Sequence, residues 1–177
     1  MQFDILEKFN WQETHMVNEV PEDDVWDNFA TKNKLSIQQK FKELNMPKEC
    51  SKHYMALNPD LSNELKSFLK PYKNKLHHVN FLKLSPGHNL WMHFDTYSTF
   101  VHYNNISEEQ AEKIKRTIVI LTPWERGQVL QIEDNVHTKW NIGDKFTWIS
   151  YAWHGVGNFS FSDFIVMQIT WLDGDEE

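Results

Sequence analysis

The sequence has 177 residues, the size of one domain, and its 40% hydrophobic and 14% aromatic content excludes an intrinsically disordered chain. The formal net charge is −7 and only two arginines occur, Arg116 and Arg126, so we expect no nucleic-acid partner, because binding to phosphates needs clustered basic side chains. The single Cys50 excludes an intramolecular disulfide and a cysteine-rich zinc site, and it fits the cytoplasmic location that we expect. No signal-peptide pattern and no long apolar stretch occurs, which predicts no membrane partner.

The first part of the chain, residues 1–76, has a helical and polar pattern. Pro21 followed by three acidic residues predicts the start of one helix, and Ser36 opens a second. Leu61, Leu65 and Phe68 recur at the spacing of a third helix. We therefore predict an N-terminal helical part that packs on the core of a single domain spanning residues 1–177.

Strands dominate the predicted core, residues 77–172. Short apolar segments, aromatic side chains and intervening turn residues indicate a barrel or sandwich. The predicted strands are His77–Leu84, Leu90–Phe94, Phe100–Tyr103, Thr117–Leu121, Val129–Ile132, Lys145–Ser150, Trp153–Val156 and Phe164–Trp171. Within one connection, Ser107 and Gln110 have the spacing of a capping box, which predicts a helix start. Residues 173–177 read as an acidic, solvated tail.

His93 and Asp95 are the first candidate metal ligands. In a strand, residues two apart point to the same side, so the imidazole of His93 and the carboxylate of Asp95 should project together. The turn Pro86-Gly87 precedes them, as a turn leading into the strand would. The pair supplies two of the three ligands of a facial triad.

His154 is the best candidate for the third ligand. One strand cannot surround an ion, and His154 follows the predicted turn Gly143-Asp144 by about one strand length. Two histidines and one carboxylate on one face leave the opposite coordination positions open, which is typical of iron(II) oxygenases. We therefore predict that His93, Asp95 and His154 form a catalytic iron(II) site.

The chain from about residue 77 to 171 resembles the 2-oxoglutarate- and iron(II)-dependent dioxygenases. The matching segments are Leu84-Ser85-Pro86-Gly87, His93-Phe94-Asp95, Lys115 to Leu121, and Gly143-Asp144 leading to His154-Gly155. Within this family the chain is most similar to the prolyl and aspartyl/asparaginyl hydroxylases.

The resemblance implies a mainly β fold, a double-stranded β-helix of the jelly-roll or cupin type, with the helices before it. It implies iron(II) and 2-oxoglutarate as cofactors, O₂ as a reactant, and hydroxylation of an unactivated C–H bond. By analogy the substrate is a peptide side chain or a small molecule.

One departure from the family concerns the anchor of 2-oxoglutarate. Most members carry a basic residue about ten positions after the distal histidine, whereas the segment from Asn158 to Ile165 contains none. Because a buried dianion needs a cationic partner, we predict Arg116 as the anchor and Lys83 as the next candidate. Both faces of the strand that follows Arg116 are apolar, so alternation leaves open which way Arg116 points.

Two alternative functions remain open at this point. The spacing of Gly143, His154 and Asn158 matches the second cupin motif, although Asp95 stands where the first cupin motif has a histidine. A cupin-type metal enzyme would not need 2-oxoglutarate. The second alternative, a non-catalytic β-sandwich binding module, is disfavoured by the complete set of three metal ligands.

Overall fold

The computed structural model describes residues 9–15, 43–45, 48–57 and 59–174. The helix predicted from Pro21 lies outside these ranges, and so does the one predicted from Ser36 except for residues 43–45. Residues 175–177 of the predicted acidic tail also lie outside them. In the described part of the chain, no helix is long and apolar enough to cross a membrane.

Within the described ranges, ten strands form two antiparallel sheets. The six-stranded sheet has the order β1-β2-β3-β10-β5-β8, and the four-stranded sheet has the order β4-β9-β6-β7. The strands are β1 (Gln12–His15), β2 (Lys52–Leu57), β3 (His77–Leu84), β4 (Asn89–His93), β5 (Ile114–Ile120), β6 (Gln128–Ile132), β7 (Asn135–His137), β8 (Lys145–Ile149), β9 (His154–Asn158) and β10 (Phe164–Leu172).

The path of the chain identifies the fold. From β3 onward the chain alternates between the two sheets except at the hairpin β6–β7, and each sheet interleaves strands that are distant in sequence. This is the winding of a double-stranded β-helix, and it confirms the predicted fold class. Seven of the eight predicted strands are present with small shifts at their ends.

The central strand β10 explains why the six-stranded sheet is so apolar. Phe164 and Val166 point between the two sheets, where they pack with Leu82 and Ile120. The alternate residues, such as Met167, point to the outer face and join a second cluster. That outer cluster is covered by residues that precede β3, namely Phe9, Trp11, Leu61, Leu65, Phe68, Leu69 and Tyr72. Both faces are therefore buried, and the first part of the strand, from Phe164 to Met167, is continuously apolar.

The strand predicted for Phe100–Tyr103 is wrong. This segment belongs to helix α2 (Ser98–Tyr103), which begins after Tyr97, a residue in the left-handed conformation with φ 50°. Phe100 packs with Ile106 and Ile114 in a small separate cluster. The aromatic residues that suggested a strand serve this local packing instead, which outweighs their β propensity.

The N-terminal part contains strands as well as helices. β1 and β2 extend the six-stranded sheet within the region for which only helices were predicted. The predicted third helix is present as α1 (Asn63–Ser67), followed by a short 3-10 turn, Lys70–Tyr72. The predicted capping box is confirmed at the start of α3 (Glu108–Ala111), where Ser107 and Gln110 cap each other.

Asn158 provides a test of the packing at the end of the barrel. Its side chain is fully buried; the amide nitrogen donates to the carbonyls of Leu84 and Ser162, and the amide oxygen accepts from the backbone and hydroxyl of Ser160. We expect Asn158→Ala to lower the free energy of unfolding by about 3 kcal/mol, because several buried groups lose their partners. Urea denaturation measures the change.

The matched control is Asn135→Ala, which removes an exposed amide from β7. We expect it to change the free energy of unfolding by less than about 0.5 kcal/mol. Equal stability losses in the two variants would contradict the structural role of the buried amide.

Candidate metal centre

The pairing of β4 with β9 brings the two histidines together. His93 is the last residue of β4 and His154 is the first of β9, and they are direct partners in the antiparallel register. Their ring centroids are 4.3 Å apart. Asp95 follows β4 by two residues and completes the group, in which one ligand atom from each residue lies within 4.8 Å of the others.

A bulge in β4 sets the position of His93. Leu90 pairs with Val156 and His93 with His154, so Trp91 and Met92 together oppose the single residue Gly155. A Cβ atom on Gly155 would lie 2.9 Å from the Met92 sulfur and 3.1 Å from the Leu90 carbonyl oxygen. Glycine at this position therefore permits the close backbone approach that the bulge requires.

Each histidine is oriented by a backbone carbonyl of its own segment. The Nδ1 atom of His93 lies 2.6 Å from the Trp91 carbonyl oxygen, and Nδ1 of His154 lies 2.9 Å from the Ala152 carbonyl oxygen. Because a carbonyl can only accept, Nδ1 carries the proton in both rings and Nε2 keeps its lone pair. Nε2 is the atom that faces Asp95 in both cases, at 3.8 Å for His93 and 3.7 Å for His154.

The protonation states suit a divalent metal ion. Burial lowers the pKa of His154 to about 4, so the ring is neutral at pH 7 and able to coordinate. Burial opposes ionisation of Asp95, but the positive charge of Arg116 and the adjacent imidazoles outweigh it and hold the pKa well below its usual range. The donor set is thus two imidazole lone pairs and one carboxylate, which fits iron(II) with open coordination positions.

Arg116 points into the space between the two sheets and contacts Asp95, one of the three candidate ligands. Its Nη2 lies 3.0 Å from Oδ2 of Asp95, and its Nη1 donates to Oε1 of Gln168 at 3.1 Å. The guanidinium also lies over the ring of Tyr97, 5.1 Å from the ring centroid. The structure therefore brings Arg116 to the predicted site, where it is paired with the carboxylate of a metal ligand.

Lys83, the second predicted anchor, lies elsewhere. Its ammonium sits over the rings of Trp11 and Tyr54, 4.9 and 5.0 Å from their centroids. The inward-facing residues of β3 are its alternate neighbours, including Leu82, which packs between the sheets. Lys83 is thus on the opposite face of the sheet from the three ligands.

A cavity of about 1000 Å³ lies between the sheets and reaches the three ligands. Its inner part is apolar and includes Leu82, Ile118, Leu130, Phe164 and Val166. The part near Arg116 is polar and includes His78, Asn80, Tyr97, Gln168 and Thr170.

Sequence reasoning missed Asn80, Tyr97 and Gln168 as candidate site residues. For Asn80 and Gln168 a signal was present, because each is a single uncharged polar residue within an otherwise apolar part of a strand. Tyr97 carried no comparable signal, since its position depends on the start of a helix that the pattern did not predict.

Asn158, which fits the cupin spacing, does not face the cavity. Its amide is fully buried in the hydrogen bonds that join the ends of β3 and β10, as described above. It therefore has a structural role and does not join the three ligands.

No protein-family model matches the sequence, and no curated protein matches it. Solved structures with a similar fold include a predicted oxalate decarboxylase from Thermotoga maritima (18% identity, 70% of this chain and 83% of that one, TM-score 0.41). They also include a cupin domain from Bordetella pertussis Tohama I (14% identity, 68% of this chain and 92% of that one, TM-score 0.39). A third is KdgF from Halomonas sp. (10% identity, 70% of this chain and 81% of that one, TM-score 0.42). At these identities and TM-scores, the fold assignment rests on the strand order.

Metal binding can be tested directly. We expect His154→Ala to weaken iron(II) affinity at least 100-fold, because it removes one of three protein ligands and even loss of an outer partner costs about 10- to 100-fold. Anaerobic titration with iron(II), followed by measurement of bound metal, gives the affinity. The control is His102→Ala, which removes an exposed histidine on α2. Unchanged affinity in His154→Ala would exclude this residue as a ligand.

Proposed function

We propose that the protein is an iron(II)- and 2-oxoglutarate-dependent dioxygenase that hydroxylates an unactivated C–H bond of a peptide side chain or a small molecule. The observation that carries the proposal is the convergence of His93, Asp95 and His154 on one side of a large cavity. All three protein ligands come from one side, so the cavity side is left for cosubstrate, O₂ and substrate.

The charges around the centre support a dianionic cosubstrate. Asp95 and Arg116 form an ion pair, so their charges offset each other. His154 is neutral, and a divalent ion at the centre would therefore keep most of its charge uncompensated. A dianion such as 2-oxoglutarate would neutralise that charge in a site partly removed from water. Bound iron(II) and 2-oxoglutarate would supply the oxidising chemistry with O₂.

The residues around the site orient the three ligands and exclude water from the reacting groups. The backbone carbonyls of Trp91 and Ala152 keep the two imidazoles in the tautomer that presents Nε2. Arg116 holds the carboxylate of Asp95 in place. The apolar inner part of the cavity excludes water from the reacting groups.

Arg116 is also the proposed partner of the cosubstrate carboxylate. Among the described residues that line the cavity, it is the only lysine or arginine. Each Nη atom carries two N–H groups and contacts one partner, Asp95 or Gln168, so the guanidinium still has donors to offer. We therefore propose that Arg116 contacts both Asp95 and 2-oxoglutarate, and that Lys83 does not take part.

One observation favours a second function, a cupin-type metal enzyme that does not use 2-oxoglutarate. Arg116 already binds two partners, Asp95 and Gln168, and a guanidinium engaged in this way is less available to a free carboxylate. In that case the metal would polarise a substrate without an oxidised cosubstrate.

The deciding assay is succinate formation from iron(II), 2-oxoglutarate and O₂ by anaerobically purified protein, without a further substrate. We expect slow succinate production that is lost in His154→Ala and unchanged in Lys83→Ala, since Lys83 lies on the opposite sheet face. In Arg116→Ala we expect the affinity for 2-oxoglutarate to fall at least tenfold, because a charge-assisted hydrogen bond is lost.

Metal binding is measured in the same variants, because Arg116 also holds Asp95. Weaker 2-oxoglutarate binding at full metal occupancy assigns the anchor role to Arg116. If the wild-type protein binds iron(II) but neither binds 2-oxoglutarate nor forms succinate, the dioxygenase proposal is wrong and the cupin-type function is favoured.

A further inference from the structure

Four uncharged polar side chains form a compact polar patch on the cavity wall, made of two pairs on neighbouring strands. Asn80 of β3 is the direct partner of Gln168 of β10, and His78 is the direct partner of Thr170. All four line the cavity. Partners in an antiparallel pair have Cβ atoms roughly 5 Å apart, so each pair can contact one small group.

The amides of the Asn80–Gln168 pair have unused hydrogen-bonding atoms. Asn80 is nine-tenths buried, and its Oδ1 is buried with no hydrogen-bond partner among the described residues. Gln168 uses Oε1 to accept from Arg116, which can only donate, so its Nε2 is directed away from the guanidinium. A buried polar group without a partner costs free energy, so a ligand that satisfies these atoms is stabilised by the same contacts.

The polar patch carries no charge of its own. Arg116, the neighbouring cation, is already paired with Asp95, and its remaining donors are the proposed contact of 2-oxoglutarate, so it is not available to a charged group of the substrate. A charged group placed against Asn80 and Gln168 would lose water without gaining an opposite charge, which is strongly unfavourable. The group that binds there is therefore expected to be neutral and to have both a donor and an acceptor.

We propose that Asn80 and Gln168 bind an uncharged amide group of the substrate. The carbonyl oxygen of such a group accepts from the two side-chain NH₂ groups, and its N–H donates to Oδ1 of Asn80 once that buried atom turns toward the cavity. One amide thereby satisfies Oδ1 of Asn80 and Nε2 of Gln168, the two atoms that lack a partner. A carboxylate would face Oδ1 of Asn80 with a second acceptor, and a single hydroxyl cannot contact both atoms of one side-chain amide in good geometry.

The position of the pair gives this contact a function. Gln168 is linked through one guanidinium group to Asp95, so an amide held there lies close to the metal ligands. Binding at two points, the metal centre and the amide pair, would fix which C–H bond is presented. This inference rests on the proposed function only in taking the amide-bearing molecule to be the one that is oxidised.

The test uses small probes and the full chain freed of metal with a chelator, because an open divalent ion would itself bind a carboxylate probe. The probes are propionamide, a primary amide; N-methylpropionamide, a secondary amide as in a peptide backbone; and propionate, a charged isostere. Ligand-observed NMR measures their affinities, which for molecules of this size lie in the millimolar range. We expect at least one amide to bind tenfold more tightly than propionate, and the preferred amide distinguishes a side-chain carboxamide from a peptide bond.

Two variants that keep nearly the size of the side chain and remove its amide, Asn80→Leu and Gln168→Met, should each weaken amide binding at least tenfold. Asn135→Leu, which removes an exposed amide from β7, should leave binding unchanged. If Asn80→Leu does not fold, Asn80→Asp replaces it, because the carboxylate keeps the shape but loses the donor. Stronger binding of propionate, or amide binding that is unaffected in the folded variants, would overturn the proposal.

The succinate assay separates this proposal from the dioxygenase proposal. Amide binding that depends on Asn80 and Gln168, without succinate formation, supports the amide site and rejects the dioxygenase. Succinate formation, together with amide binding that is unchanged in the Asn80 and Gln168 variants, rejects the amide site alone.

Discussion

The pairing of β4 with β9 is the constraint on which the candidate metal centre depends. His93 and His154 face each other because β4 has one extra residue after Leu90. Trp91 and Met92 together oppose the single residue Gly155, and this shift makes His93 the partner of His154. Without this extra residue, the side chain of His93 would turn to the other face of the sheet, since one residue of shift reverses every side chain in a strand. The absence of a Cβ on Gly155 allows the two backbones to approach closely at this point.

The ion pair of buried Arg116 and partly buried Asp95 has a second consequence for the site. A buried charge that loses its partner lowers the stability of the fold, so a neutral substitution of either residue would leave the other charge unpaired. Asp95 is held ready as an anionic ligand, and Arg116 is kept charged inside a largely apolar barrel. The same pairing divides the cavity wall into a charged part at the metal ligands and a neutral part at Asn80 and Gln168.

Much of the fold and the grouping of the three candidate ligands could be predicted from the sequence, because side chains in a β-strand alternate with a period of two. This alternation predicted β3 with its observed ends and placed His93 beside Asp95, although β4 itself ends at His93. The direction of Arg116 could not be predicted, since β5 is buried on both faces and alternation has no solvent side to identify. The helix at Phe100 was mistaken for a strand because its aromatic residues pack locally against Ile106 and Ile114.

The order in which strands are joined implies a late step in the folding of this chain. β10 pairs with both β3 and β5, so the six-stranded sheet closes only when a strand near the end of the sequence is added. His93 and His154 also come from segments far apart in sequence, and they meet only in the paired barrel. Folds dominated by such non-local pairings form slowly. A metal ion that needs all three ligands would then bind the folded chain and hardly any earlier state, and its concentration would shift the folding equilibrium itself.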